Sequence, residues 1–394
     1  MFASRHRLWA TLAVGSTACL VSTGCSATAG PAAPAPLGST HVSQVTISVS
    51  QCGTGWTRPV AGRQHFVLDN TDTRTGEVLL TDAGTGAVFA DVEPLAAGTR
   101  TSLDIDLGSG RYAFRCAMED EATVIGKAVI IPGTAAQPVA PVLAVTQADL
   151  IGATKDYERY VSGQIPRLTR LTGKLRAAIK DGDRPAARKA WLAAHLEYER
   201  LGAAYQAFGD LDTEINGLPT GRPGGVHDPG WSGFHRIEYG LWHGQSLPAL
   251  YPSARALTTA TTKLGHQFAT TQIDPLQLSI RGHEIAENAL QFELTGQSDF
   301  GSGSGLATTR ANLDGTRTVL AILRPLLRSR YTQLPALNQA LIKTENDLDA
   351  VRSAGKWPAP DELSRPDRER LNSDLGQLCE LLAPVASILE PRRT

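Results

Sequence analysis

The chain is poor in cysteine, with five in 394 residues, too few to staple a disulfide scaffold. It has no excess of either charge: Lys+Arg is 38 against Asp+Glu 39, a formal net charge of -1. With no long basic run either, attachment to nucleic acid by phosphate neutralisation is excluded. The apolar stretch Leu8 to Val21 is too short for a membrane span. Catalytic signatures are missing too. There is no Gly-x-Ser-x-Gly elbow, no Walker-type loop and no nucleophile with a plausible base. The metallopeptidase helix needs His-Glu-x-x-His, and His283-Glu284-Ile-Ala-Glu287 ends in Glu where a ligand His belongs. What remains is a composition of 42% hydrophobic and 20% charged residues, that of a globular protein with sizeable cores.

The N-terminus carries Arg5 and Arg7, then an apolar stretch, then Ser22-Thr23-Gly24-Cys25. A basic region, an apolar region and small residues make a secretory signal over residues 1–24. Small residues directly before Cys25 resemble a bacterial lipobox, although Ser22 stands where an aliphatic residue is usual. An ordinary signal peptide with Cys25 incidental is the alternative. The Pro/Ala/Gly/Ser run that follows suits a lipid tether over residues 25–42. The expected location is therefore extracytoplasmic, lipid-anchored to the cell membrane through Cys25. Cys19 leaves with the leader.

Two folded regions differ in period. Residues 43–133 alternate with period two, as in Val45–Val49 and Ser102–Leu107, and Gly and Pro turns separate about seven short strands. This predicts a small β-sandwich. A Pro/Ala linker spans 134–146. Residues 147–394 carry helical periodicity in seven long segments, among them Pro185–Ala207, Leu276–Leu294 and Leu306–Leu323. The fold class is multidomain, β followed by an all-α bundle. The Gly/Pro-rich stretch Gly217–Gly233 reads as a long loop of the kind that carries function.

In the helical region the segment Gly233-Phe-His235-Arg-Ile-Glu238 puts an imidazole and a carboxylate on one helix face, three residues apart. That is a two-point metal half-site, which facing helices must complete. The neighbouring acids are Glu197 and Glu199 in His195-Leu-Glu197-Tyr-Glu199, with Asp210 and Asp212 beyond. Each has an ordinary alternative: Glu199 paired with Arg200, and the aspartates as turn residues. A carboxylate-rich shell suits iron better than thiolate-seeking ions.

In the β region Cys52 follows the first strand and Cys116 ends a later one, with Met118 and the acids Glu119–Glu121 after it. A strand ending in Cys, a loop with Met and a closing strand resemble the copper loop of cupredoxins. No His occurs between His65 and His195, so an electron-transfer copper site with two His is not expected. Two readings stay open: a disulfide between Cys52 and Cys116, or a soft metal pair with Glu77 nearby. Cys379, on an apolar helix face, is expected in the core.

The order of lipoprotein-like leader, cupredoxin-like β-sandwich and helical domain resembles the EfeO-type iron-uptake lipoproteins. The helical domain is similar to the imelysin-like family, whose hallmark Gly-x-His-x-x-Glu is met by Gly233, His235 and Glu238. Tyr198-Glu199-Arg200, Phe208-Gly-Asp210-Leu-Asp212 and Ala311-Asn-Leu-Asp314-Gly-Thr-Arg317 also resemble it. The resemblance implies an iron-binding component that passes iron to a membrane permease, with a haem-peroxidase partner. It implies His235 and Glu238 as iron ligands, assisted by Glu199, and Cys52, Glu77 and Cys116 as metal positions in the β domain, with copper a further cofactor there. The imelysin family is filed among peptidases, so the alternative is a zinc-dependent metallopeptidase. The missing motif His argues against an enzyme. A metal-free adhesion module is the third reading.

Overall fold

The computed structural model describes residues 41–391. Cys25 and the expected leader lie outside the described residues.

Eight strands come first: β1 (Val42–Ile47), β2 (Gly62–Asn70), β3 (Gly76–Asp82), β4 (Val88–Leu95), β5 (Arg100–Leu107), β6 (Gly110–Met118), β7 (Val124–Ile125) and β8 (Val129–Ile131). They form two sheets. One has the order β1-β2-β5, with β1 parallel and β5 antiparallel to β2. The other has β4-β3-β6 at its centre, and both β7 and β8 pair with β6. Ile47, Phe66, Leu68, Val78, Leu80 and Phe114 are among the buried side chains that fill one shared core. Alternation explains this: Val78 and Leu80 face the core, while Glu77, Leu79 and Thr81 face the other side of the same sheet.

Ten helices follow. They are α1 (Gln147–Lys180), α2 (Arg184–Glu199), α3 (Tyr205–Phe208), α4 (Asp210–Asn216), α5 (Gly233–Trp242), α6 (Leu247–Phe268), α7 (Pro275–Asn288), α8 (Gly305–Leu327), α9 (Leu334–Ala350) and α10 (Arg365–Ile388). Their starts are written in the sequence. Thr146 and Asp149 form a capping box at α1, and Asp183, Asp274 and Ser364 cap α2, α7 and α10. Pro follows each of those last three caps, where its missing N–H costs nothing. α1 packs along α2 and α6, and α7 along α8 and α10. One apolar core runs through the bundle, with Trp191, Tyr157, Tyr198 and Phe234 fully buried in it. Among the described residues, no helix is long and apolar enough to cross a membrane.

Two sequence expectations change. The helix expected over Pro185–Ala207 ends at Glu199, and Gly202–Ala204 forms a tight turn under α7. The helix expected to run to Leu294 becomes a π turn over Ala289–Glu293, an element found often at functional sites.

Candidate metal centre

The key helix, α5, starts at a position only glycine tolerates. Gly233 has φ +89°, and a Cβ there would stand 2.3 Å from the Ile215 carbonyl oxygen. Glycine therefore lets the start of α5, reached through the loop after α4, pack directly against the backbone at the end of α4. Trp191 Nε1 donates to the Phe234 carbonyl at 2.9 Å and ties α2 to this same turn. The outcome is that His195 of α2 and His235 of α5 meet edge to face, with ring centroids 5.4 Å apart.

The His235 ring borders a cavity of about 270 Å³ whose wall also includes Glu199, Asp212, Asn216, Glu293 and Asn312. Its donors come from α2, α4, α5, the π turn and α8. Glu199 is 6% exposed. His195 Nε2 lies 3.0 Å from its Oε1, and Asn216 Nδ2 donates to the same oxygen at 2.9 Å. The Asn312 amide, its nitrogen toward Glu199, donates to Oε2 at 3.0 Å. Burial opposes ionisation of Glu199, but His195 and then His235 outweigh it and hold its pKa below the ordinary value. Burial also opposes a charge on His195, and the Glu199 carboxylate outweighs it, so His195 is raised.

Glu293 behaves oppositely. Burial, then the charge of Glu199, pushes it up to about 8, although Ser298 Oγ donates to it at 2.7 Å. Burial likewise raises Asp212, which accepts a short hydrogen bond from the Tyr198 hydroxyl. Asn216 Oδ1 is buried with no hydrogen-bond partner, an oxygen donor left open at the cavity wall. Oxygen donors plus imidazole make a hard-to-borderline set, which fits iron.

The expected residues separate. His235, Glu199 and Asp212 line the cavity. Glu238 sits next to His235, 1% exposed, without reaching the cavity lining. Glu197 points away, toward Arg167 at 3.3 Å and Arg200 at 3.6 Å. Asp210 is exposed in the first turn of α4. Glu293 and Asn216 carried no sequence signal, being isolated polar residues on separate elements, while Asn312 lay within the family-like Ala311–Arg317 segment without being singled out. His283 pairs with Glu287 at 3.5 Å and does not line the cavity.

In the β domain Cys52 and Cys116 are joined in a disulfide. Their sulfurs are therefore not thiolates, and the soft metal pair does not form in this state. Nor does Glu77 join them. Cys116 pairs in register with Val78 and faces the core, whereas Glu77 pairs with Ala117 on the opposite face. Met118 is likewise buried in the core. Glu77 instead meets Asp91 and Glu93 of β4, with one oxygen of each within 4.8 Å of the others. This is an all-oxygen group, which does not suit copper(I).

Residues 153–385 match the family model described as Peptidase_M75, imelysin, and the chain belongs to that family. It is also similar to proteins named "Iron uptake system component EfeO". The one from Yersinia pseudotuberculosis serotype I is 25% identical over 350 residues, covering 88% of this chain and 90% of the relative. Those from Escherichia coli K12 and Shigella flexneri are each 25% identical over 351 residues, covering 88% of this chain and 91% of the relative.

Proposed function

We propose that this protein is the extracytoplasmic iron-binding component of an EfeUOB-type uptake system. It binds iron in the helical cavity beside the His-x-x-Glu helix and passes it to a membrane permease, working with a haem-peroxidase partner. Attachment through a lipid on Cys25 would hold it at the membrane. The single observation that carries the reading is the convergence of His235, Glu199, Asp212 and Glu293 from four elements on one cavity. The similarity to iron-uptake components supports the same cargo.

The site favours binding over catalysis. Glu199 is kept ionised by His195 and His235, ready to accept a cation without first losing a proton. Glu293 carries a proton at neutral pH, which the arriving ion must displace. His283 and Glu287 lie where a peptidase helix would need its ligands, yet they pair with each other outside the cavity. Glu77, Asp91 and Glu93 also lie close enough together to hold a metal ion.

Titration of the mature chain with ferrous and with ferric iron tests this. One ion bound in the helical domain, with affinity at least tenfold lower in His235→Ala, is the expected result. Equal affinity in both proteins would remove the cavity from the function.

A further inference from the structure

His235 and Glu238 lie three residues apart on α5, and on sequence that spacing suits two ligands on one face. The same spacing also suits a hydrogen bond between two side chains of one helix. Three observations favour the second arrangement. Glu238 Oε1 accepts from the backbone N–H of Phe300 at 3.0 Å and of Ser302 at 3.1 Å. Its Oε2 stands 3.4 Å from His235 Nδ1. And Glu238 is 1% exposed and absent from the cavity wall that His235 lines. Oε1 is thus held by the loop backbone, and Oε2 faces His235 Nδ1.

We infer that Glu238 is a positioning residue and not an iron ligand: it fixes the tautomer and orientation of His235. The inference deepens the iron-binding reading and rests on it for the identity of the cargo. The chemistry follows from donor counting. The Glu238 carboxylate already acts as an acceptor for two backbone N–H groups, so the proton in this contact is assigned to His235 Nδ1. The lone pair then lies on Nε2, the nitrogen left for the cavity. A metal-bound imidazole commonly donates its other N–H to a carboxylate in this way. The same carboxylate also grips the loop after the π turn. Phe300 of that loop packs its ring 5.3 Å from the His235 ring, so one residue sets both the ring and the wall behind it. The carboxylates left to touch the ion are then Glu199, Asp212 and Glu293, supplied by α2, α4 and the π turn.

The test uses full-length metal-free protein with 15N-labelled histidine. Long-range proton–nitrogen correlation reads the tautomer, and His235→Gln assigns the signal. The wild type should carry its proton on Nδ1. In Glu238→Gln the amide oxygen can keep the two backbone N–H groups, and its NH₂ then faces His235 and donates to Nδ1. The proton should move to Nε2, and ferrous affinity under anaerobic conditions should fall by about 10–100-fold with one ion still bound. A wild-type proton on Nε2 would overturn the inference without any variant. So would loss of iron in Glu238→Gln with the tautomer unchanged, since Glu238 would then be a ligand. If the predicted tautomers are found but wild type binds no iron, the positioning role stands and the iron-binding reading falls.

Discussion

Glu197 and Glu199 are two residues apart on α2 and serve opposite sides of it. Two residues rotate a helix by about 200°, so Glu199 reaches the cavity while Glu197 meets Arg167 and Arg200. Both are buried acids on one helix, and only their neighbours distinguish them. Glu199→Gln should therefore lower ferrous affinity at least tenfold, and Glu197→Gln should leave it within about twofold. Anaerobic calorimetric titration of the two variants separates them. Equal losses would mean that α2 acts through its packing and not through Glu199.

Glu293 links stability to pH. Its folded pKa of about 8 lies above the ordinary 4.5. A raised carboxyl pKa means the folded state holds the proton more tightly than the unfolded state. Its stabilising effect is complete below about 4.5 and is lost as pH rises toward 8. The metal-free protein should thus show a fall in melting temperature across that window, and Glu293→Gln, the neutral isostere, should flatten it. Iron should reverse the trend, because the ion competes with the same proton and binds more tightly as pH rises. Melting curves with and without iron from pH 5 to 8 check both signs. An unchanged pH profile in Glu293→Gln would rule out a titrating Glu293.

The glycine of Gly-x-His-x-x-Glu has a backbone role. A side chain at Gly233 meets the Ile215 carbonyl oxygen at 2.3 Å and must hold φ +89°. Backbone strain and a backbone clash act together, so Gly233→Ala should cost about 2 kcal/mol or more. Urea unfolding of the metal-free protein measures this, and iron affinity should fall with it because α5 is re-aimed. A cost below about 0.5 kcal/mol would show that the turn can relax.

Much of this architecture was legible, and the failures have physical causes. Helices α1, α7 and α10 were readable because their apolar residues repeat with the helical period. Strand β4 went unread: it is an edge strand, half-buried or exposed over most of its length with little apolar alternation, and Pro94 interrupts it. His235 was readable from its motif. Glu293 was not, because a π turn shifts the helical period just where its side chain turns inward. Asn216 and Asn312 meet at Glu199 only through tertiary packing. The Cys52, Glu77 and Cys116 grouping failed on a one-residue parity. Cys116 shares a face with Val78, and Glu77 shares the other with Ala117.

The disulfide bears on which metal the β domain can take and on how stable that domain is. Cys52 and Cys116 are 64 residues apart, and closing a loop of that size stabilises the folded state by about 4 kcal/mol in the chain-entropy account. The loop runs through β2, β3, β4, β5 and most of β6, so its loss should be local. In Cys52→Ser/Cys116→Ser, hydrogen exchange should quicken in β2, β3 and β6 and stay unchanged in α1 and α2. Ferrous affinity of the helical cavity should be unaffected, since none of its donors lies in the β domain. Copper(I) should bind the oxidised wild type no better than it binds the double variant, because neither protein offers a thiolate pair. Uptake of copper(I) by the oxidised wild type alone would mean that the two sulfurs act as ligands after all, and the sheet face carrying Glu77 would lose its claim as the metal side of the domain.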